Sequence, residues 1–180
     1  MTTPFTALRN KKTKTEEFRK SAHEVARALA KEVAQHTVKK GIVLVPILRA
    51  GLALLPAFIE KFPKALVGFI GLKRNEKTLK PKAYYQNIPK ILKNDVVIVL
   101  DPMLATGGSA VAGIKTLMRA GAREENIIFV GIISAPEGIA NVQDNFPLVR
   151  ILCAEYDKKL DKNGYIVPGL GDFGDRYFGN

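Results

Sequence analysis

Cysteine and histidine are nearly missing from this chain of 180 residues, and their scarcity removes several kinds of chemistry. A single cysteine, Cys153, cannot close an internal disulfide, and its place in the apolar run VRILCAEY predicts a buried structural thiol. His23 and His36 have no second histidine or cysteine at ligand spacing, and no Ser/His/Asp arrangement suggests itself; both read as surface or helix-packing residues. No apolar run approaches the roughly 20 residues that cross a bilayer. The opening MTTPFTALRNKKTKTEEFRK lacks the apolar stretch of a signal peptide, so a cytoplasmic protein with no membrane partner is expected. Acidic residues are also short, 17 against 28 lysines and arginines, which leaves a net charge of +11. That excess, concentrated in Arg9 to Lys20 and Lys73 to Lys93, is either a solvated basic surface or a match for an anionic partner, such as nucleic acid or a polyphosphorylated small molecule.

What is present is an α/β pattern. Apolar residues make up 47% of the chain, which argues against disorder, and a domain of this length buries roughly 70% of its unfolded surface. The most informative stretch is VVIVLDPMLATGGS, Val96 to Ser109. Five unbroken apolar residues suit a strand buried on both faces of a parallel sheet. The run stops at Asp101, and after a short loop Thr106, Gly107, Gly108 and Ser109 lead into the helical spacing of AVAGIKTLMRA. A carboxylate after a strand, followed by Gly-rich backbone opening a helix, suits a sugar phosphate, because the first-turn N–H groups point at an anion.

The remaining elements follow in order. Phe18, Ala22, Val25, Leu29 and Val33 draw one stripe along a helix from Thr15 to Ala34. Strand GIVLVPIL, Gly41 to Leu48, leads through Arg49-Ala50-Gly51 to a helix from Leu52 to about Lys61. Arg49 stands where open α/β sheets bind ligands. A second strand, Ala65 to Leu72, precedes a polar section to Lys82 that reads as an exposed loop, and Tyr84-Tyr85-Gln86 starts a returning strand. Strand Ile127 to Ile133, a helix from about Pro136 to Asn145 and strand Val149 to Glu155 complete the alternation. One domain, residues 1–180, with a mainly parallel central sheet flanked by helices is expected. The tail Gly164 to Gly179, GYIVPGLGDFGDRYFG, reads as an ordered binding loop rather than another regular element.

DPMLATGGSA, PILRAGL, the RNEKT loop and GYIVPGLGDFGDRYFG, in this order, together resemble uracil phosphoribosyltransferase, within the type I phosphoribosyltransferases. LRNKKTKTEEFR and SAPEGIA, Ser134 to Ala140, extend the resemblance over nearly the whole chain. It implies the type I fold and the joining of uracil to 5-phosphoribosyl 1-diphosphate (PRPP), giving UMP and diphosphate with Mg2+ in pyrimidine salvage. Carried over, the PRPP motif is Asp101, Pro102, Met103, Leu104, Ala105, Thr106, Gly107, Gly108 and Ser109. Asp101 would accept the ribose hydroxyls, and Ala105 to Ser109 would hold the 5-phosphate. Arg49 and Arg74 resemble the arginines for the diphosphate. Ile166, Gly171, Asp172 and Phe173 fall where the family binds uracil, with Asp172 also implicated at PRPP. The catalytic set implied is Asp101, Asp172 and Arg74. Mg2+ is held mainly by the diphosphate and ribose, with Asp172 the one side chain that could join it.

Pro102 matches the uracil branch, since relatives outside it often have two acids after the strand. Phe173 replaces an alanine found in many members. The family's β-hairpin arm, which reaches the neighbouring subunit, has no room in AQHTVKK between Ala34 and Gly41, so the arm is shortened or absent. A homo-oligomer, dimer or higher, and nucleotide binding that includes GTP are further implications. Two alternatives stay open: an enzyme of the same class acting on another base, and an RNA-binding regulator on the same fold, prompted by the charge. No aromatic-and-basic RNA module is visible, and no nucleic-acid partner is expected.

Overall fold

The computed structural model describes residues 3–37, 41–74 and 81–180, with Arg74 described by its backbone alone. The strands follow from uninterrupted apolar runs. β1 (Ile42–Leu48), β5 (Val96–Leu100) and β7 (Ile127–Ser134) are buried along nearly their whole length. They lie side by side, β1 pairing with β5 and β5 with β7, all parallel. β8 (Arg150–Tyr156) adds to β7, again parallel. On the other side, β2 (Leu66–Val67) and β3 (Phe69–Arg74) both run along β1. They are one expected strand interrupted at Gly68, whose N–H donates to Leu44 O at 2.9 Å. β4 (Pro81–Asn87) closes this edge antiparallel to β3.

The expected loop to Lys82 is thus shorter at both ends, because Lys73 and Arg74 pair with Lys82 and Pro81 in the sheet. Asn75 to Lys80 lie outside the described residues. The strand run also does not finish at Asp101. β6 (Met103–Leu104) resumes pairing with β7 after two residues.

Alternation along the strands sends side chains to two cores. Leu44, Val96, Ile98 and Leu100 meet α1 (Pro4–Arg9), α2 (Thr15–Gln35), α3 (Leu55–Lys61) and α6 (Phe173–Phe178) on one face. Val43, Val45, Val97 and Val99 meet α4 (Gly108–Arg119) and α5 (Pro136–Asn145) on the other. α2 buries its whole apolar stripe from Phe18 to Val33. The helix expected from Leu52 opens instead as a 3-10 turn, Ala50–Ala53, and α3 starts at Leu55. Pro56, lacking an N–H, is tolerated only in a first turn.

The tail is more regular than expected. It contains β10 (Ile166–Val167), paired antiparallel with β9 (Lys159–Leu160), and then α6. Packing supplies what periodicity did not: Phe173 stacks on Tyr177 at 5.6 Å and meets Phe18 at 5.2 Å. Only residues 36–41 separate α2 from β1, and His36 and Thr37 carry no strand, so this length cannot hold a two-stranded arm.

Phe18 is fully buried where α2, α6 and the sheet meet. Phe18→Ala should lower unfolding stability by about 3–5 kcal/mol, read as a reduced urea midpoint at constant slope.

Candidate active site

The parallel strands end along one edge, and the predicted site residues gather there. Arg49 follows β1, Asp101 follows β5, and Ser134 ends β7. Arg49 is exposed and loosely tethered: Nη2 lies 3.7 Å from Asp175 Oδ1, and the guanidinium is 5.9 Å from the Phe178 ring centre. Exposed pairs of this kind contribute little, so an incoming anion can take Arg49 over at small cost. Arg74 lies at the end of β3, its side chain outside the described residues.

The first half of the DPMLATGGS segment is largely committed to the sheet. Pro102 O accepts from Ile132 N at 2.9 Å and Ile133 N at 3.1 Å, and Leu104 O accepts from Ala135 N at 3.0 Å. Pro102 and Leu104 are buried, while Met103 is half-buried. The second half is the open part. Gly107 caps α4 in the left-handed conformation, φ 77°, and no side chain caps the helix. Thr106 and Ser109 are exposed beside these first-turn N–H groups. Residues 105–109 therefore form an anion cradle at the start of a three-turn helix.

Asp101 has an unusual setting. Its N–H donates to Val130 O at 3.1 Å, and Oδ1 accepts from Met103 N at 3.4 Å. Burial pushes its carboxyl up to about 7, against a weaker opposing effect of the Met103 N–H. The Cys153 thiol lies close enough to feel this charge, and burial pushes that thiol up to about 12. As expected, Cys153 is buried.

The tail brings a second wall up to the cradle. A Cβ built on Gly164 would stand 3.4 Å from Thr106 Cγ2, so the β9–β10 turn lies beside the 105–109 loop. Ile166 is buried, and Gly171 and Asp172 are exposed. Asp172 caps α6, its Oδ1 accepting from Asp175 N at 2.9 Å. The Phe173 ring is only 1% exposed and belongs to the core.

Some contributors carried no sequence signal of their own. α5 braces both walls. Glu137 Oε1 accepts from Leu160 N at 2.9 Å, and Asn141 Nδ2 donates to Thr106 O at 2.7 Å. Gly138 packs so tightly on the loop that a Cβ there would strike Ala105 O and lie 2.7 Å from Leu104 O. These three stand within or next to SAPEGIA, which carried family likeness but no assigned role.

A family model described as uracil phosphoribosyltransferase matches residues 33–180. The uracil phosphoribosyltransferase of Clostridium acetobutylicum is 46% identical, the match covering 96% of this chain and 90% of that protein. The aligned length there, 191 positions, exceeds the 180 residues of this chain, so that relative carries residues missing here. The solved structure of the AQ2163 protein from Aquifex aeolicus is 36% identical and covers 98% of this chain and 92% of its own, with TM-score 0.88. A purine phosphoribosyltransferase from Pyrococcus horikoshii, 19% identical with TM-score 0.60 over 77% of this chain and 84% of its own, shares the fold.

Two outcomes follow from the geometry. Gly138→Ala should displace the Ala105–Gly108 backbone and weaken ribose 5-phosphate binding about tenfold, measured by calorimetric titration. The raised Asp101 carboxyl favours folding below its ordinary 3.8, and that contribution is lost as pH rises through about 7. Asp101→Asn should therefore flatten the fall in urea stability between pH 5 and pH 8 and be the more stable protein at pH 8.

Proposed function

The chain belongs to the uracil phosphoribosyltransferase family, and we propose that the residues gathered at the strand ends divide the family's reaction among them. The reaction is transfer of the 5-phosphoribosyl group from PRPP to uracil, yielding UMP and diphosphate. The observation that carries the division is the proximity of an uncapped helix start at Thr106–Ser109 to the Gly-rich tail at Gly164.

The 5-phosphate takes the cradle of Ala105, Thr106, Gly107, Gly108 and Ser109, supported from beneath by Pro102, Met103 and Leu104. Asp101 accepts from the ribose hydroxyls. Arg49 and Arg74 receive the diphosphate, Arg49 leaving its weak tether to Asp175. Uracil lies on the tail, between Ile166 and the backbone of Gly171, Asp172 and Phe173. Its edge alternates acceptor, donor and acceptor, which backbone groups can read, and a mismatched base would leave such groups unpaired.

In the reaction, uracil N1 bonds to C1 of the ribose as the bond to diphosphate breaks, and the N1 proton is lost. Positive charge develops on the sugar and negative charge on the leaving group. Such a step is served by placed charges and dipoles and by alignment of the two substrates rather than by a protein nucleophile. Among the described residues no three carboxylate, histidine or cysteine side chains converge. This donor set fits a Mg2+ that arrives with the diphosphate and takes at most one carboxylate from the protein, Asp172. When bound, that ion neutralises charge on the diphosphate. The chain works as one domain in the cytoplasm and forms a homo-oligomer through surfaces other than a hairpin arm; among the described residues no helix is long and apolar enough to cross a membrane.

UMP formation from uracil, PRPP and Mg2+ is the direct assay, and a wild-type chain inactive with uracil but active with another base would overturn the uracil assignment. Arg49→Ala and Arg74→Ala should each raise the KM for PRPP by about 10–100-fold, the loss of a charged hydrogen bond. Asp101→Asn should weaken the ribose contact by about 1.5–3 kcal/mol. PRPP binding near pH 6.5 should also release a proton from wild type, by calorimetry in two buffers, that Asp101→Asn does not release.

A further inference from the structure

Both backbone polar groups of Gly169 end on one pair of charged side chains. Its N–H donates to Asp157 Oδ2 at 2.8 Å, and its carbonyl accepts from Arg9 Nη1 at 3.1 Å. The two side chains also grip each other as a fork, Nη1 to Oδ2 at 2.9 Å and Nη2 to Oδ1 at 2.6 Å. Asp157 is buried, with its side chain 4% exposed, so this pair is poorly screened and geometrically fixed. Burial alone would push the Asp157 carboxyl up, but the Arg9 guanidinium and the Gly169 N–H hold it below the usual carboxylate range. Gly169 lies three residues after Ile166 and two before Gly171, in the middle of the segment assigned to uracil.

The pair also has a fixed reference point. Asp157 N donates to Ser134 O at 2.8 Å, at the end of β7. The next residue, Ala135, donates its N–H to Leu104 O of the phosphate loop at 3.0 Å. Two consecutive residues, the last of β7 and the one that caps α5, thus tie down both walls, Ala135 directly and Ser134 through Asp157.

We propose that Arg9 and Asp157 are a positioning pair for uracil: they set the placement of the 166–173 segment relative to the phosphate cradle and so govern uracil affinity, acting through Gly169. This rests on the assignment of that segment to uracil. An ordinary stabilising pair would affect the whole protein, whereas a positioning pair acts on one substrate.

Steady-state UMP formation separates these roles. Arg9→Met should raise the uracil KM about tenfold or more while the PRPP KM stays within about twofold, with Asp157→Asn showing a smaller shift of the same kind. Gly169→Ala leaves the ion pair's own side chains intact but drives a Cβ into Ile166 O, and it should show the same split. Should Arg9→Met fail to fold, Arg9→Lys keeps the charge, loses the fork and takes its place. Thermal unfolding of each variant establishes that it is folded at the assay temperature. An unchanged uracil KM in a folded variant overturns the proposal, as does an equal rise in both KM values or a loss confined to kcat. Inactivity of the wild type would reject the uracil assignment and the positioning role with it; normal wild-type activity with unaffected variants rejects the positioning role alone.

Discussion

The site depends on an interruption in the middle strand rather than on its end. β5 pairs Leu100 with Val130, and β6 pairs Met103 with Ile133, so the alignment with β7 is the same before and after Asp101 and Pro102. Pro102 cannot donate a ladder hydrogen bond, and its carbonyl instead accepts two from Ile132 and Ile133. The strand is thereby held in place while it misses a step. Asp101 stands at that step, its N–H still bonded to Val130 O, and burial of its carboxyl makes it reluctant to ionise. A chain that left the sheet at Asp101 would place the same carboxylate in water.

From this fixed strand the two walls are built with different materials. The 105–109 wall is backbone: glycines, a helix start and the close packing of α5. The tail wall is a short hairpin and a six-residue helix, α6, too short to stand alone. Its own Arg176 ties that helix to backbone carbonyls, two of them near the start of the chain. Arg176 donates to Leu8 O, to Leu170 O at 2.6 Å and to Asn10 O at 2.7 Å, and lies over the Phe18 ring at 4.2 Å. Arg49 and Asp172 thus stand exposed at the rim, while Asp157, paired with Arg9, is buried.

How much was legible in the sequence differs by element for physical reasons. Val96–Leu100 and Pro136–Asn145 were readable to the residue, the first from an unbroken apolar run and the second from a proline at its start. β4 was only half visible, because its side chains from Lys82 to Asn87 are all exposed and no apolar alternation marks it. α6 was hidden among glycines, and Phe173, placed with uracil by likeness, spends its ring on the core. The start of α4 after Gly107 was legible from glycine and hydroxyl spacing. Arg9 was one cation in a basic run, with a partner 148 residues away that no local pattern could reveal.

That separation has a consequence for how the molecule comes into being. Arg9 meets Asp157 across 148 residues, and Leu8 meets Arg176 across 168. Contacts this remote in sequence are slow to form, since the closure entropy precedes any return. During synthesis from the N-terminus, β1, β5, β7, α4 and α5 are all available before the tail has been made. The half built on β5, β7, α4 and α5 can therefore form first, and the 166–173 segment is fixed against it only after Asp157 and Arg176 have been made.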